Sequence, residues 1–231
     1  IQARFANRMK LTSANVDEVI NRRLLAKNDD GIQLLIDLYA AHQGNLRTLF
    51  EFGDGSRTYR IYRDRDEFIA TYPFAPYQYA LFQSAIQNLS QHNAFEGRHS
   101  SVGERSMLSV FQHVVKAIAD QDINTLATFD RMYAGVQNTL KGQLTGSIRA
   151  AEAQDLDPFA VRVLKALFLV KYVKEFKATA GNIAILLIDR FDIDINAHRK
   201  RVQAALNTLE SQTYIQRNGD EYAYLTDEEK D

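Results

Sequence analysis

Only three prolines interrupt this chain of 231 residues, and its apolar residues recur mainly three or four positions apart. That spacing places apolar side chains on one face of an α-helix. Proline breaks the interior of a helix, so long stretches without it leave such a pattern intact. The sequence therefore predicts a mainly α-helical fold.

The same pattern predicts where the individual helices lie. They are expected at about 32–50, 77–90, 104–119, 123–140, 141–154, 158–176 and 196–211, with a short helix after Thr179. Asp157 followed by Pro158 is typical of a helix start, because aspartate caps the first turn and proline lacks the amide that would go unpaired there. A boundary is therefore predicted near residue 155.

A β-hairpin is predicted near the end of the chain. Asn218-Gly219 lies between two runs rich in β-forming residues, and this dipeptide favours a type I′ turn. The region 155–231 thus has three predicted helices followed by a hairpin, which is the order of elements in a winged helix-turn-helix. Because these elements could enclose a core, the region is expected to fold alone.

A loop rich in glycine, serine and arginine precedes the helix predicted to begin at 104. Its candidate phosphate-binding residues are Arg98, Ser100, Ser101, Gly103 and Ser106. A helix N-terminus attracts anions, because its amides are unpaired and its dipole is positive there. The loop is therefore a candidate anion site. The same residues also suit an ordinary polar loop in which Ser101 or Ser106 caps the helix.

Several kinds of chemistry are disfavoured by what the sequence lacks. It has no G-x-x-x-x-G-K-[ST] phosphate loop, and Gly53–Ser56 contains no lysine, so this stretch alone is not expected to hydrolyse ATP. It has no cysteine, which fits a cytoplasmic protein, and its five histidines form no H-x-x-x-H pair, so no metal site is expected. No apolar run approaches the roughly 20 residues of a membrane span, and no membrane association is expected.

Three segments resemble one protein family. They are IQARF at 1–5, YPFAPYQ at 72–78 and RHSSVGERSML at 98–108. Together they resemble the large P-loop (AAA+-like) ATPase of the BREX phage-resistance systems, the BrxC type, over about residues 1–120. The chain also starts without methionine, and we expect it to be an internal part of such a protein.

The resemblance implies a division into three parts. Residues 1–30 would be the end of the ATPase core, 31–154 a helical lid with a sensor-like loop, and 155–231 the winged-helix domain. Arg4 matches the position of an arginine finger and Arg105 that of a sensor arginine, where a guanidinium would offer a planar fork of donors to a terminal phosphate. On the residues alone, a surface ion pair at Arg4 and a lid salt bridge at Arg105 are equally open.

The resemblance also implies cofactors and partners. The whole protein would bind ATP and Mg²⁺, whereas this stretch is expected to bind neither by itself. Its expected partners are other proteins of the defence complex, further copies through the ATPase region, and double-stranded DNA. The expected role is non-catalytic: the lid and winged helix would regulate nucleotide-dependent assembly.

The helix predicted at 196–211 would carry any contact with DNA. Lys200 and Gln203 lie on its outward side, Arg199 lies beside the apolar stripe, and Arg217 lies on the wing. Residues 162–231 nevertheless contain 11 Lys and Arg against 11 Asp and Glu, so their general attraction to phosphate is expected to be weak. The alternatives are a DNA-binding or transcriptional regulatory module whose helical half dimerises, and a protein-interaction scaffold.

Overall fold

The computed structural model describes residues 13–97 and 104–230. These residues are mainly helical with a small antiparallel sheet, which confirms the predicted fold class at that level. The helices are α1 (Ser13–Val19), α2 (Asp29–Leu46), α3 (Arg65–Thr71), α4 (Tyr77–Gln91), α5 (Glu104–Ala117), α6 (Gly142–Ala153), α7 (Pro158–Val170), α8 (Ala180–Leu186) and α9 (Ile195–Ser211). The strands are β1 (Ile215–Asn218) and β2 (Glu221–Tyr224). A π-helical turn (Ile20–Leu24) follows α1, and 3₁₀ segments lie at Phe129–Gly135, Gln137–Thr139 and Asp227–Glu229.

Side-chain caps fix the starts of the last three helices. The Asp157 carboxylate accepts a hydrogen bond from Ala160 N at 3.3 Å, and Thr179 Oγ1 accepts one from Asn182 N at 3.3 Å. Asp194 caps α9 in the same way. Each cap satisfies an amide that has no partner within its helix. The starts predicted at Asp157 and Thr179 are confirmed.

α7 ends at Val170 rather than at the predicted 176. Residues beyond it form turns that are closed by hydrogen bonds over three residues, from Val173 N to Val170 O at 3.0 Å and from Phe176 N to Val173 O at 3.1 Å. Glu175 O accepts from Arg57 N at 2.8 Å, and Ala178 O accepts from Tyr222 N at 2.9 Å. These long-range bonds hold the turns against the segment at Arg57 and against β2.

The helix predicted at 123–140 is wrong. The stretch begins extended, with Leu126 N donating to Asp189 O at 2.7 Å and Ala127 N to Pro73 O at 2.9 Å. The 3₁₀ segment Phe129–Gly135 follows, and its last residue lies so close to α5 that a Cβ there would be 2.9 Å from the Val110 methyl carbons. Backbone partners elsewhere in the fold thus override the helical spacing of the apolar residues.

The predicted hairpin is present, but its turn differs from the prediction. Asn218 pairs with Glu221, so the two loop residues are Gly219 and Asp220. Gly219 has a φ of 66°, whereas Asp220 is not in the left-handed region. A type I′ turn needs positive φ at both loop positions, while a type II′ turn needs it only at the first. The hairpin therefore fits type II′, and the predicted type I′ turn is wrong.

α7 is the centre of the hydrophobic core. It packs against α4, α6, α8, α9, β2 and the 3₁₀ segment Phe129–Gly135. Phe168 illustrates this position, because its ring lies 5.5 Å from that of Tyr133 on one side and 5.2 Å from that of Tyr224 on the other. One buried apolar cluster therefore extends across the boundary predicted at 155. The boundary itself stays a prediction.

A loop from the first half of the chain is fixed onto α8. We call Gly53–Ser56 the docking loop. Gly53 N donates to Asn182 Oδ1 at 2.9 Å, and Asn182 Nδ2 donates back to Gly53 O at 3.0 Å. Thr179 Oγ1 donates to Asp54 Oδ2 at 2.6 Å. The docking loop therefore joins the two halves of the chain.

Candidate functional site

α9 buries one side and leaves the other open. Its buried side chains are His198, Val202, Ala205, Leu206 and Leu209. These positions recur every three or four residues, so the remaining positions face outward. The helix packs against α7, α8 and β1, and its outward residues Asn196, Arg199, Lys200 and Asn207 are exposed.

His198 is a structural member of the buried side. Its Nε2 lies 2.7 Å from Ala184 O, so the neutral ring donates there through an Nε2–H. Burial lowers the pKa of His198, because the charged ring would lose hydration, although the Ala184 carbonyl partly offsets this effect. The ring therefore stays neutral near pH 7 and anchors α9 to α8.

The outer face of α9 is defined here by the exposed residues Asn196, Arg199, Lys200 and Asn207. Neither cation has an ion-pair partner among the described residues. Beyond the Asp194 cap, the helix contains no acidic residue before Glu210. The outer face therefore carries local positive charge, although the region around it is balanced overall.

Arg201 is exposed but takes a different position. Its guanidinium lies 3.9 Å from the centroid of the Phe159 ring, at the start of α7. A cation over an aromatic face is held by the negative potential of the ring. Arg201 is thus fixed toward α7, which leaves Arg199 and Lys200 as the cations of the outer face.

Gln203 connects α9 to the hairpin. Its Nε2 donates to Tyr222 OH at 3.2 Å and to Asn207 Oδ1 at 3.0 Å. Arg217 contacts the same tyrosine, with its guanidinium 5.7 Å from the ring centroid, and its Nε donates to Gly219 O at 2.8 Å. Tyr222 therefore brings together two residues predicted for DNA contact, and sequence reasoning did not identify it.

A third segment completes the sheet beside this surface. Thr179 forms an isolated antiparallel bridge with Glu221, so the segment before α8 lies beside β2. Lys177 Nζ lies 3.8 Å from the Glu221 carboxylate. Because both groups are partly exposed, this ion pair contributes little to stability. The pair does give the Glu221 carboxylate of the hairpin a cationic partner outside α9.

The predicted phosphate site lies mostly outside the described residues. This applies to Arg4, Arg98, Ser100, Ser101 and Gly103. Arg105 is within α5 by its backbone, but its side chain is outside the described part, and Ser106 is half-buried in the first turns of that helix. The finger, sensor and phosphate-binding roles therefore stay predictions.

Two further properties apply to residues 13–97 and 104–230. No helix there is long and apolar enough to cross a membrane. The same residues contain no group of three or more histidine or carboxylate side chains placed to hold a metal ion.

The chain matches no known protein-family model and has no significant match among solved structures.

Proposed function

We propose that this chain is the non-catalytic lid and winged-helix portion of a BREX-type P-loop ATPase, where it regulates nucleotide-dependent assembly with a partner. The proposal starts from the three sequence segments that resemble that family. The arrangement of α7, α8, α9 and the hairpin supports the winged-helix part of it. The Thr179–Glu221 bridge adds support, because it places the segment between α7 and α8 beside β2 and so joins the helices to the hairpin.

The single observation that carries a docking role is the outer face of α9. Arg199 and Lys200 are exposed and unpaired within the described residues, beside a wing that Gln203 and Tyr222 hold in place. A rigid helix with unpaired cations is suited to an acidic partner. ATP and Mg²⁺ would be bound by the ATPase core of the whole protein, with Arg4 and Arg105 as its finger-like and sensor-like arginines.

The whole protein provides the decisive test of this role. We expect the sequence upstream of this chain to contain a Walker A loop, and Arg105→Ala to reduce ATP turnover without lowering the melting temperature. Arg47→Ala, a change at an exposed arginine just after α2, is the matched control. A protein without a phosphate loop, or unchanged turnover and phage protection in both Arg105→Ala and Arg4→Ala, would remove the proposal.

DNA binding is the second candidate, and the local charge of α9 favours it. Because the surrounding region is neutral, we expect duplex DNA to bind with a Kd no tighter than about 10⁻⁴ to 10⁻⁶ M at physiological salt. Fluorescence anisotropy over a salt series measures this. Lys200→Ala should reduce the salt slope by about one, whereas Lys174→Ala, an exposed lysine outside α9, should leave it unchanged. Equal slopes for both variants would exclude α9 as the DNA-binding element.

A further inference from the structure

A mainly apolar cavity lies between the first helices and the end of α5. Its volume is about 260 Å³. The apolar wall comes from separate segments of the chain and includes Leu25, Leu35, Val115, Ile118 and Ile123. Three of these side chains, Leu25, Leu35 and Ile118, are less than one tenth exposed. The cavity is therefore a preformed space between packed elements, of a kind that binds small molecules.

Lys27 is the cationic group that lines this cavity. Its Nζ donates one hydrogen bond, to Ala70 O at 3.1 Å, and it has no carboxylate partner among the described residues. An ammonium group carries three donors, so two remain for a ligand. Burial lowers the pKa of Lys27 to about 8, because the charged form is poorly hydrated there. An anion beside it would relieve that cost.

Tyr72 and Asp122, two other polar residues of the cavity wall, already have partners. Tyr72 OH donates to Ile123 O at 2.7 Å. Asp122 lies at the exposed rim, where its carboxylate accepts from Asn124 N and Nδ2 at 2.9 and 2.6 Å, and Arg190 lies 3.9 Å away. The one cationic group in the described wall of the cavity is thus the Lys27 ammonium, which lies beside apolar side chains.

We propose that this cavity is a binding site for a small monocarboxylate with an apolar body, whose carboxylate pairs with Lys27. The apolar body would lie against Leu35 and Ile118, and the carboxylate would accept hydrogen bonds from Nζ. A neutral amide of the same shape would lose the ion pair, and a cation would be repelled. This site is independent of the function proposed for α9.

Isothermal calorimetry and thermal unfolding of the whole chain with octanoate and benzoate test the proposal. Small ligands of this size bind with a Kd of about a millimolar, so both probes are used at excess. At least one of the two acids is expected to raise the melting temperature. Comparing octanoate with benzoate shows whether the cavity prefers an aliphatic or an aromatic ligand. The matched amides, octanamide and benzamide, are expected to bind about tenfold or more weakly. No stabilisation by either acid, or equal effects of acids and amides, would overturn the proposal.

Variants and proton uptake locate the site. Lys27→Met keeps an unbranched apolar stem without the ammonium group, and it should weaken octanoate binding about tenfold or more. Asp122→Asn at the rim should leave octanoate binding unchanged. Near pH 8, where Lys27 is partly neutral, binding should take up protons in wild type. If Lys27→Met does not fold, chemical acetylation of the wild-type protein replaces that variant. Bound octanoate should then protect Lys27 from the acetylating reagent, as measured by peptide mass spectrometry. Unprotected Lys27 would overturn the assignment.

Discussion

α7 and α9 pack against each other, yet a much larger share of the residues of α7 is buried. Ten of the thirteen residues of α7 are buried, compared with five of the seventeen residues of α9. α7 is apolar around most of its circumference and is covered by both halves of the chain. α9 is apolar on one side and polar on the other. The first helix therefore holds the molecule together, and the second presents a surface.

This contrast separates stability from recognition within one unit. A substitution on α7 disturbs packing on several sides at once, whereas one on the outer face of α9 changes only groups exposed to solvent. The docking loop reinforces the first role, since Asn182 ties it to α8 through two part-buried hydrogen bonds. Loss of function from a change on α7 is thus expected to reflect unfolding, and loss from Lys200 to reflect lost contact.

Removing the partners of α7 is expected to have the largest effect. Residues 155–231 were expected from sequence to fold alone, but α7 is covered by residues on both sides of that boundary. We therefore expect the excised segment to unfold in urea without a cooperative transition. It should also aggregate, because the exposed apolar face of α7 would associate with other chains. The whole chain, which includes residues 1–154, should show the cooperative transition. A cooperative transition of the excised segment alone would show that α7 does not depend on the first half.

A single truncation on α7 gives the next largest effect. Phe168→Ala should lower the free energy of unfolding by about 3–5 kcal/mol, because it removes a fully buried ring packed between Tyr133 and Tyr224. Urea denaturation measures this change. Arg199→Ala on the outer face of α9 is the control, with an expected change within about 0.5 kcal/mol. Comparable losses in the two variants would mean that the outer face of α9 is packed in solution.

The sequence predicted those parts of the fold whose cause is local. Helical spacing identified α2, α4, α5, α6 and α9 close to their observed bounds, and the caps identified two starts. The extended stretch at Leu126 was not predictable in this way, because its amide bonds to Asp189, far along the chain. The hairpin was predicted, but its exact register was not.

The candidate site follows the same division. The exposure of Arg199 and Lys200 follows from the helical spacing of their apolar neighbours and was predictable. The contact of Gln203 with Tyr222 was not, because it depends on how the hairpin packs against α9. Lys27 carries no sequence motif, and its position became apparent only when α2, α5 and the turn at Tyr72 were seen to enclose one cavity.

Two glycine-to-alanine substitutions, at Gly135 and Gly44, are expected to change stability in opposite directions. A Cβ at Gly135 would lie 2.9 Å from Val110 methyl carbons and 3.1 Å from Val110 Cα, so Gly135→Ala should cost about 1–3 kcal/mol. Gly44 in α2 has no atom within 4 Å of an added Cβ. Gly44→Ala should therefore stabilise by about 0.5–1 kcal/mol, because alanine favours the helix. Thermal unfolding of both variants tests the pair, and stabilisation by Gly135→Ala would mean that the 3₁₀ segment is not pressed against α5.

The smallest expected effect is a pH dependence from the buried side of α9. Burial holds the pKa of His198 below 6.5, its usual value, so the unfolded chain binds more protons than the folded one as the pH falls through that range. The contribution of a neutral His198 is complete above the unfolded pKa and is lost as the pH falls below it.

His198→Gln keeps a donor for Ala184 O without titrating. Its stability relative to wild type should therefore improve between pH 7 and pH 5, by no more than about 1.4 kcal/mol per pH unit. Urea unfolding at a series of pH values measures the difference between the two proteins, in which the contributions of unchanged carboxylates cancel. If the stabilities of the two proteins changed in parallel with pH, the pKa of His198 would be the same in the folded and unfolded chains, and its burial would not affect its protonation.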